Sequence, residues 1–176
     1  MPSSSPHEQL IQHVIVIFQE NRTPDNLFHG LPGADIATSG MNSKGQTVQL
    51  QPIDITAPYD IDHSHTGFLT SYNNGNMNGW DLVRFYCPSK NCNPETAFGY
   101  VPPSEVAPYF QMAEQYTFAD RMFQTNQGPS FPAHQYIISG TSTNAPGSNL
   151  LASENPAYAN MNKLNCDGDP ASKVAM

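Results

Sequence analysis

Near the start of the chain, one apolar run is not interrupted by polar residues. Val14–Phe18 reads V-I-V-I-F, and most of its side chains are β-branched. A short apolar run without polar alternation is typical of a strand that is buried on both faces of a parallel or mixed sheet. The pattern therefore predicts a central strand at Val14–Phe18.

A polar cluster, Q-E-N-R, follows this run at once, and Thr23 and Pro24 then fit the cap and first position of a helix. In open α/β sheets, ligands collect at the carboxyl ends of strands. Carboxylate and amide oxygens are suited to hard cations. Glu20 and Asn21 are therefore candidate cation ligands, and the alternative is that they only solvate a loop.

Patterning elsewhere predicts short elements separated by loops. In chain order they are a weak strand at Val48–Leu50, a helix at Thr66–Tyr72, a helix of about ten residues from Val106, a strand at Tyr116–Ala119 and a helix from Pro132 through Ile138. Strands mixed with helices in this way indicate an α/β, loop-rich fold.

Composition limits the classes of function. The 176 residues suffice for one domain, but only 12% are charged and 16 are proline, which is typical of a loop-rich chain. The net charge of −8, without a basic patch, argues against nucleic-acid binding. No apolar run is long enough to span a membrane, and residues 1–10 lack the pattern of a signal peptide.

The chain has 3 cysteines, an odd number. Cys87 and Cys92 bracket a short loop that a disulfide could close, which would leave Cys166 without a partner in this chain. A disulfide would indicate an oxidising compartment.

A second polar cluster precedes the helix predicted at Thr66–Tyr72. It reads D-I-D-H-S-H, and it places Asp60, Asp62, His63 and His65 on the turn that enters the helix. Such a cluster is suggestive of metal or phosphate binding. The alternative is ordinary capping and surface hydrogen bonding.

Ser130 follows a sharp Gly-Pro turn and precedes the helix that has Pro132 in its first turn. The N-terminus of a helix favours an anion, through its free N–H groups and its dipole. The alternative is that Ser130 is simply the N-cap, a position at which serine is common.

Three segments, in this order, resemble the motifs of one family. They are H-V-I-V-I-F-Q-E-N-R-T-P-D-N-L-F-H-G from His13, D-I-D-H-S-H with N-N-G-N-M-N-G-W from Asp60, and F-A-D-R-M-F with G-P-S-F-P from Phe118. In residues 11–145 the chain is similar to the bacterial phosphoesterase family, which holds phosphatidylcholine-type phospholipases C and a group of acid phosphatases.

The resemblance implies a partial alkaline-phosphatase-like sheet with helices on both faces. It also implies that Glu20 and Asn21 bind a catalytic divalent metal ion, that His63 contacts the phosphoryl oxygens, and that Ser130 is the nucleophile and a further metal ligand. The implied activity is hydrolysis of phosphate esters, phospholipase C-like or acid phosphatase-like, on a phospholipid or smaller ester.

The chain departs from the family pattern at three places. Thr23-Pro24 stands where many relatives have Ser-Phe, Trp80 replaces a phenylalanine, and Ala133-His134 follows Pro132 where an asparagine is usual. The amide lost at the third place weakens the expected positioning of substrate, unless His134 substitutes for it; the alternative is that His134 points outward.

The remaining metal ligands of the family come from its C-terminal half. We therefore expect a flexible segment at 1–10, the N-terminal part of a catalytic domain at 11–145, and a loop-rich, truncated segment at 146–176. The alternative is a catalytically inactive fragment or a phosphate- or metal-binding module. The resemblance and the possible disulfide favour a secreted or periplasmic protein, and the oligomeric state stays open.

Overall fold

The computed structural model describes residues 11–87, 94–157 and 173–176. In these ranges the α-helices are α1 (Pro24–Leu27), α2 (His65–Tyr72), α3 (Ala107–Gln115) and α4 (Ser130–Ser139). The strands are β1 (Ser39–Met41), β2 (Thr47–Gln49), β3 (Gln51–Pro52), β4 (Asp60–Ile61), β5 (Phe85–Tyr86) and β6 (Gly99–Tyr100). All of them are short, so the loops between them carry much of the structure.

Local signals place the first two helices where the sequence predicts them. The Thr23 side chain caps α1 by accepting a hydrogen bond from the Asn26 N–H at 3.2 Å, with Pro24 at the first helical position. Ser64 caps α2 in the same way, and the helix ends at Asn73, whose φ of 42° is left-handed. Both predicted helices are confirmed.

The strands form pairs rather than one sheet. Strands β1 and β2 are antiparallel, β3 and β6 are parallel, and β4 and β5 are antiparallel. The predicted mixture of helices and strands is confirmed, as is the weak strand near Val48. Within the three described ranges, the strands form only two-stranded sheets, so the larger alkaline-phosphatase-like sheet with helices on both faces is not confirmed.

The central strand predicted at Val14–Phe18 is wrong for this structure. The run pairs with none of the described strands, and its side chains are 56% to 88% exposed. A strand needs a neighbour that accepts and donates its backbone hydrogen bonds, and no described strand pairs with this run. The strand predicted at Tyr116–Ala119 is wrong for the same reason, since these residues belong to no described strand.

The hydrophobic core lies where α1, β6 and α3 meet. Leu27, Val101 and Val106 are 6%, 0% and 1% exposed, and two aromatic residues, Phe28 and Phe110, pack on them with ring centroids 5.7 Å apart. The helix predicted from Val106 is thus confirmed as α3, with its aromatic residues in the core. This cluster holds the segment that precedes α1 in a defined place.

Candidate functional site

Hydrogen bonds fix the polar segment just before α1. The Tyr109 hydroxyl, on α3, donates to Gln19 Oε1 at 2.8 Å. The Arg22 guanidinium donates to Asn26 Oδ1 at 3.0 Å and to the Ile55 carbonyl at 3.2 Å. Glu20 and Asn21 lie between these two attachments, so their backbone is held against the core although the preceding apolar run is not.

Asn21 turns the backbone inside this segment. Its φ is 62°, in the left-handed region, which asparagine tolerates better than most residues. Glu20 and Asn21 are thus on a bend rather than at the end of a paired strand. The sequence prediction located these residues beside a sheet edge, whereas in the structure Glu20 contacts α4 instead.

Helix α4 presents Ser130 at its first position. The N-cap is Pro129, in extended conformation, and no side chain caps the helix. The alternative in which Ser130 is merely the cap is therefore wrong. Pro132 lies in the first turn of the helix, as predicted, and its side chain is fully buried.

The Glu20 carboxylate and the Ser130 hydroxyl meet at this helix terminus. Ser130 Oγ donates to Glu20 Oε2 at 3.5 Å, although the two residues are 110 positions apart in sequence. The second carboxylate oxygen contacts His134 Nε2, one turn further along α4. Three side chains that can bind a cation or move a proton therefore converge at one point.

This point is open to solvent. The side chains of His134 and Glu20 are 49% and 44% exposed. A ligand can therefore reach the carboxylate, the hydroxyl and the imidazole without a rearrangement of the core. The dipole of α4 adds a positive potential at the same end of the helix, which favours an anionic group beside Ser130.

His63 lies in a neighbouring open cleft of about 470 Å³. Its Nε2 atom is 3.7 Å from Asp60 Oδ2, and both side chains are largely exposed. The cleft is lined by two further segments besides this turn, and the lining residues are Asp60, Ile61, Asp62, His63, Ser64, Arg84, Tyr86, Glu154 and Asn155.

The cleft and the helix terminus share a wall. Asn155 lines the cleft, and its Oδ1 atom accepts a hydrogen bond from the Phe131 N–H at 2.9 Å, in the first turn of α4. Among the contacts between described residues, no hydrogen bond or ion pair joins His63 directly to Glu20 or Ser130. The structure thus brings Glu20 and Ser130 together and leaves His63 next to them, in the cleft.

The other residues of the Asp-His turn have structural roles. Asp62 Oδ1 accepts from the Ser64 N–H at 2.9 Å, and this bond, with that from the Ser64 side chain, lowers the pKa of the Asp62 carboxyl below 3.8. The His65 N–H, at the start of α2, donates to Glu154 Oε1 at 2.9 Å, and its ring contacts the Gln127 carbonyl. The hydrogen bond to the Ser64 N–H thus supports the start of α2, and the contacts of His65 tie this turn to Glu154 and Gln127.

The residues present fit a cation only in part. Glu20 and His134 supply an oxygen and a nitrogen, and the Ser130 hydroxyl supplies a third donor. Across the described part of the chain, no group of three or more His, Cys, Asp or Glu residues is placed to hold a metal ion. A site built here would need ligands beyond these three to reach the usual coordination number of four or more.

Sequence reasoning left the role of His134 open and missed Asn155. The available signal for His134 was its spacing, because residues i and i+4 of a helix lie on the same face as each other. No pattern distinguished Asn155, which lies in an irregular segment. Cys87 is disulfide-bonded, while its predicted partner Cys92 lies outside the described residues, as does Cys166.

Three of the curated proteins that the chain resembles are bacterial phospholipases C. It is 26% identical to the hemolytic phospholipase C of Pseudomonas aeruginosa over 75% of the chain and 19% of that protein. It is 25% identical to phospholipase C B of Mycobacterium tuberculosis over 73% of the chain and 29% of that protein. For the non-hemolytic phospholipase C of P. aeruginosa, the identity is 25% over 80% of the chain and 22% of that protein.

The chain thus spans between 19% and 29% of the length of these relatives. No solved structure matches it significantly. Among the helices of the described ranges, none combines the length and the apolar character needed to cross a membrane.

One family model matches nearly the whole chain. The model describes the phosphoesterase family and covers residues 11–171, which include Glu20, His63 and Ser130. The chain therefore belongs to the phosphoesterase family.

Proposed function

We propose that this chain carries the nucleophile end of a phosphate-ester hydrolase, with Ser130 as nucleophile and Glu20 and Asn21, together with Ser130, as ligands of a divalent metal ion. The observation that carries the proposal is the contact between Ser130 Oγ and Glu20 Oε2 at 3.5 Å. Family membership and the names of the relatives support hydrolysis of a phosphate ester.

A serine hydroxyl is a weak nucleophile at its ordinary pKa and must be activated. A divalent cation held here would supply Lewis acidity, which lowers the pKa of a hydroxyl and polarises a phosphoryl oxygen. The Glu20 carboxylate lies 3.5 Å from the Ser130 hydroxyl at the open end of α4, where one ion could contact both. The pair therefore provides the position and the polarity that attack on phosphorus requires.

The helix terminus favours the phosphoryl group itself. Helix α4 spans Ser130–Ser139, and its dipole is directed so that the positive end lies beside Ser130. Charge develops on the non-bridging oxygens during phosphoryl transfer, so a fixed positive potential at this point stabilises the transition state more than the substrate.

We assign His63 the role of proton donor to the leaving group. It lies in the open cleft next to the helix terminus, where the alcohol part of an ester would extend from a phosphoryl group at Ser130. An imidazole there can donate a proton to the departing oxygen. Asp60, 3.7 Å from His63 Nε2, would hold the ring in orientation.

Hydrolysis of p-nitrophenyl phosphate and of p-nitrophenylphosphorylcholine tests this proposal, with Mn²⁺ or Zn²⁺ present. Ser130→Ala should abolish release of p-nitrophenol on either substrate. Ser139→Ala, which removes a hydroxyl from the opposite end of the same helix, is the matched control and should retain the rate. Equal rates for the Ser130→Ala variant and the unsubstituted chain would rule out Ser130 as nucleophile.

The incomplete ligand set among the described residues favours one second candidate, a module that binds phosphate or metal without turnover. The same variants separate the two functions. Phosphate binding that persists in Ser130→Ala, with no hydrolysis by the unsubstituted chain, selects the binding module. Hydrolysis that depends on Ser130 selects the hydrolase. The choice of a phospholipid over a smaller ester follows only from the names of the relatives.

A further inference from the structure

His134 is the one member of the converging group to which the proposed hydrolase assigns no role. Its Nε2 atom contacts Glu20 Oε1, while Ser130 binds the other oxygen of the same carboxylate. An imidazole that meets a carboxylate at an open helix terminus is either a plain surface ion pair or part of the site.

The helix register directs His134 toward Ser130. Both residues lie on α4, four positions apart, and therefore on the same face. Side chains on a helix also tilt toward its N-terminus, so the imidazole extends back over the turn that begins at Ser130. The nitrogen and the hydroxyl each contact one oxygen of the Glu20 carboxylate.

A stabilising role in the fold does not explain the contact. The side chains of His134 and Glu20 are 49% and 44% exposed, and exposed ion pairs of this kind add little to stability. The core that fixes the segment lies elsewhere, around Leu27 and Val101. The contact therefore contributes little to folding, and the imidazole is accessible to a ligand.

We propose that His134 supplies a nitrogen ligand, through Nε2, to a metal ion shared with Glu20 and Ser130, and that this nitrogen selects zinc-like ions over calcium. The inference rests on the proposed function, because it needs the same ion. Imidazole nitrogen suits zinc and the later transition metals, whereas an all-oxygen site suits calcium and magnesium. A site with Glu20 and Ser130 alone would have only oxygen donors.

Titration calorimetry with Zn²⁺ alone and with Ca²⁺ alone, up to millimolar metal, tests the proposal on the full chain. The unsubstituted chain should bind Zn²⁺ more tightly than Ca²⁺. His134→Ala should weaken Zn²⁺ binding by at least about tenfold, since even partners outside the ligand shell have effects of this size. Ca²⁺ binding should change by less than about twofold, because oxygen donors dominate it.

His13→Ala is the matched control, because His13 is an exposed histidine outside the converging group, and its Zn²⁺ affinity should equal that of the unsubstituted chain. Glu20→Gln should weaken the binding of both metals. If Glu20→Gln has this effect and His134→Ala does not, the role of His134 is refuted and the proposed metal site stands. If neither variant changes metal binding, or the unsubstituted chain binds neither ion, both the site and the role of His134 are refuted.

A thermal melt of each variant separates folding from binding. Because the His134–Glu20 contact is exposed, the His134→Ala variant should melt at the temperature of the unsubstituted chain without metal. Its melting temperature should then rise less than that of the unsubstituted chain when Zn²⁺ is added, since a ligand that binds the folded state more weakly stabilises it less. Equal Zn²⁺-dependent rises would contradict the proposal.

Discussion

Two apolar regions of the molecule have opposite environments. The cluster of Leu27, Val101 and Val106 is buried, with exposures of 6% or less. The run Val14–Phe18 consists of five consecutive apolar residues, yet its side chains are at least 56% exposed. Burial therefore depends on which segments pack against a residue, and apolar patterning alone does not identify those segments.

The two regions meet at the site. Gln19 ends the exposed stretch and binds Tyr109, whereas Arg22 begins the anchored segment and binds Asn26. Glu20 is thus positioned from its carboxyl side by α1 and from its amino side by one hydrogen bond to α3. Hydrogen bonds to α1 and α3 therefore hold the segment that carries Glu20.

The largest expected effect lies in the buried cluster. Leu27→Ala should lower the free energy of unfolding by about 2–5 kcal/mol, because it removes buried methyl groups and leaves a cavity. Urea denaturation followed by circular dichroism measures this change. An effect below about 0.5 kcal/mol, which is typical of surface positions, would show that Leu27 is not in the core.

Gly79→Ala should have the next largest effect. A Cβ atom at Gly79 would lie 1.9 Å from the Thr70 carbonyl oxygen, so the backbone at the end of α2 must move. We expect a loss of about 1–3 kcal/mol from this overpacking, measured by the same denaturation. Leu82→Ala, at a residue that is 61% exposed, is the control and should change little.

A smaller effect is expected at low pH, from Asp62. Hydrogen bonds from Ser64 lower its pKa below the ordinary value of 3.8, so the ionised carboxylate favours the folded state. This stability is present above pH 3.8 and is lost as the pH falls through the lower folded pKa. Asp62→Asn should reduce the drop in melting temperature over that window. An unchanged acid-dependent drop would contradict the assignment.

The smallest effect on stability is expected in the exposed run. Ile15 is 86% exposed, so Ile15→Lys should change the free energy of unfolding by less than about 0.5 kcal/mol. The same variant should bind less of a hydrophobic dye, since it removes exposed apolar surface. A loss of about 2 kcal/mol or more would show that the run is buried in solution, as the sequence pattern predicts.

Features with local causes were the predictable part of the fold. A capping threonine before Pro24 and a left-handed Asn73 after Tyr72 determine helix ends within a few residues, so α1 and α2 follow from the sequence. The strand at Val14–Phe18 does not, because its pairing depends on segments distant in sequence. The apolar pattern indicates that a segment can form a strand, but it does not indicate which other strand would pair with it.

The candidate site likewise has a part that the sequence predicts and a part that only the structure shows. The residue types at Glu20, Asn21, His63 and Ser130 and the family resemblance marked them as candidates, but their mutual placement needed the fold. Contact between Glu20 and Ser130 spans 110 positions, and no local pattern carries such information. The direction of His134 depends on where α4 begins, which is why the sequence left its role open.

The account depends most on Glu20 and Ser130 sharing one ion at the start of α4. A crystal structure of the chain grown with Zn²⁺ and collected at the zinc absorption edge tests this most directly. We expect one anomalous peak within about 2.2 Å of both the Glu20 carboxylate and the Ser130 hydroxyl. An anomalous zinc peak at another position, together with a distance between the two side chains that is too long for one ion to contact both, would contradict it.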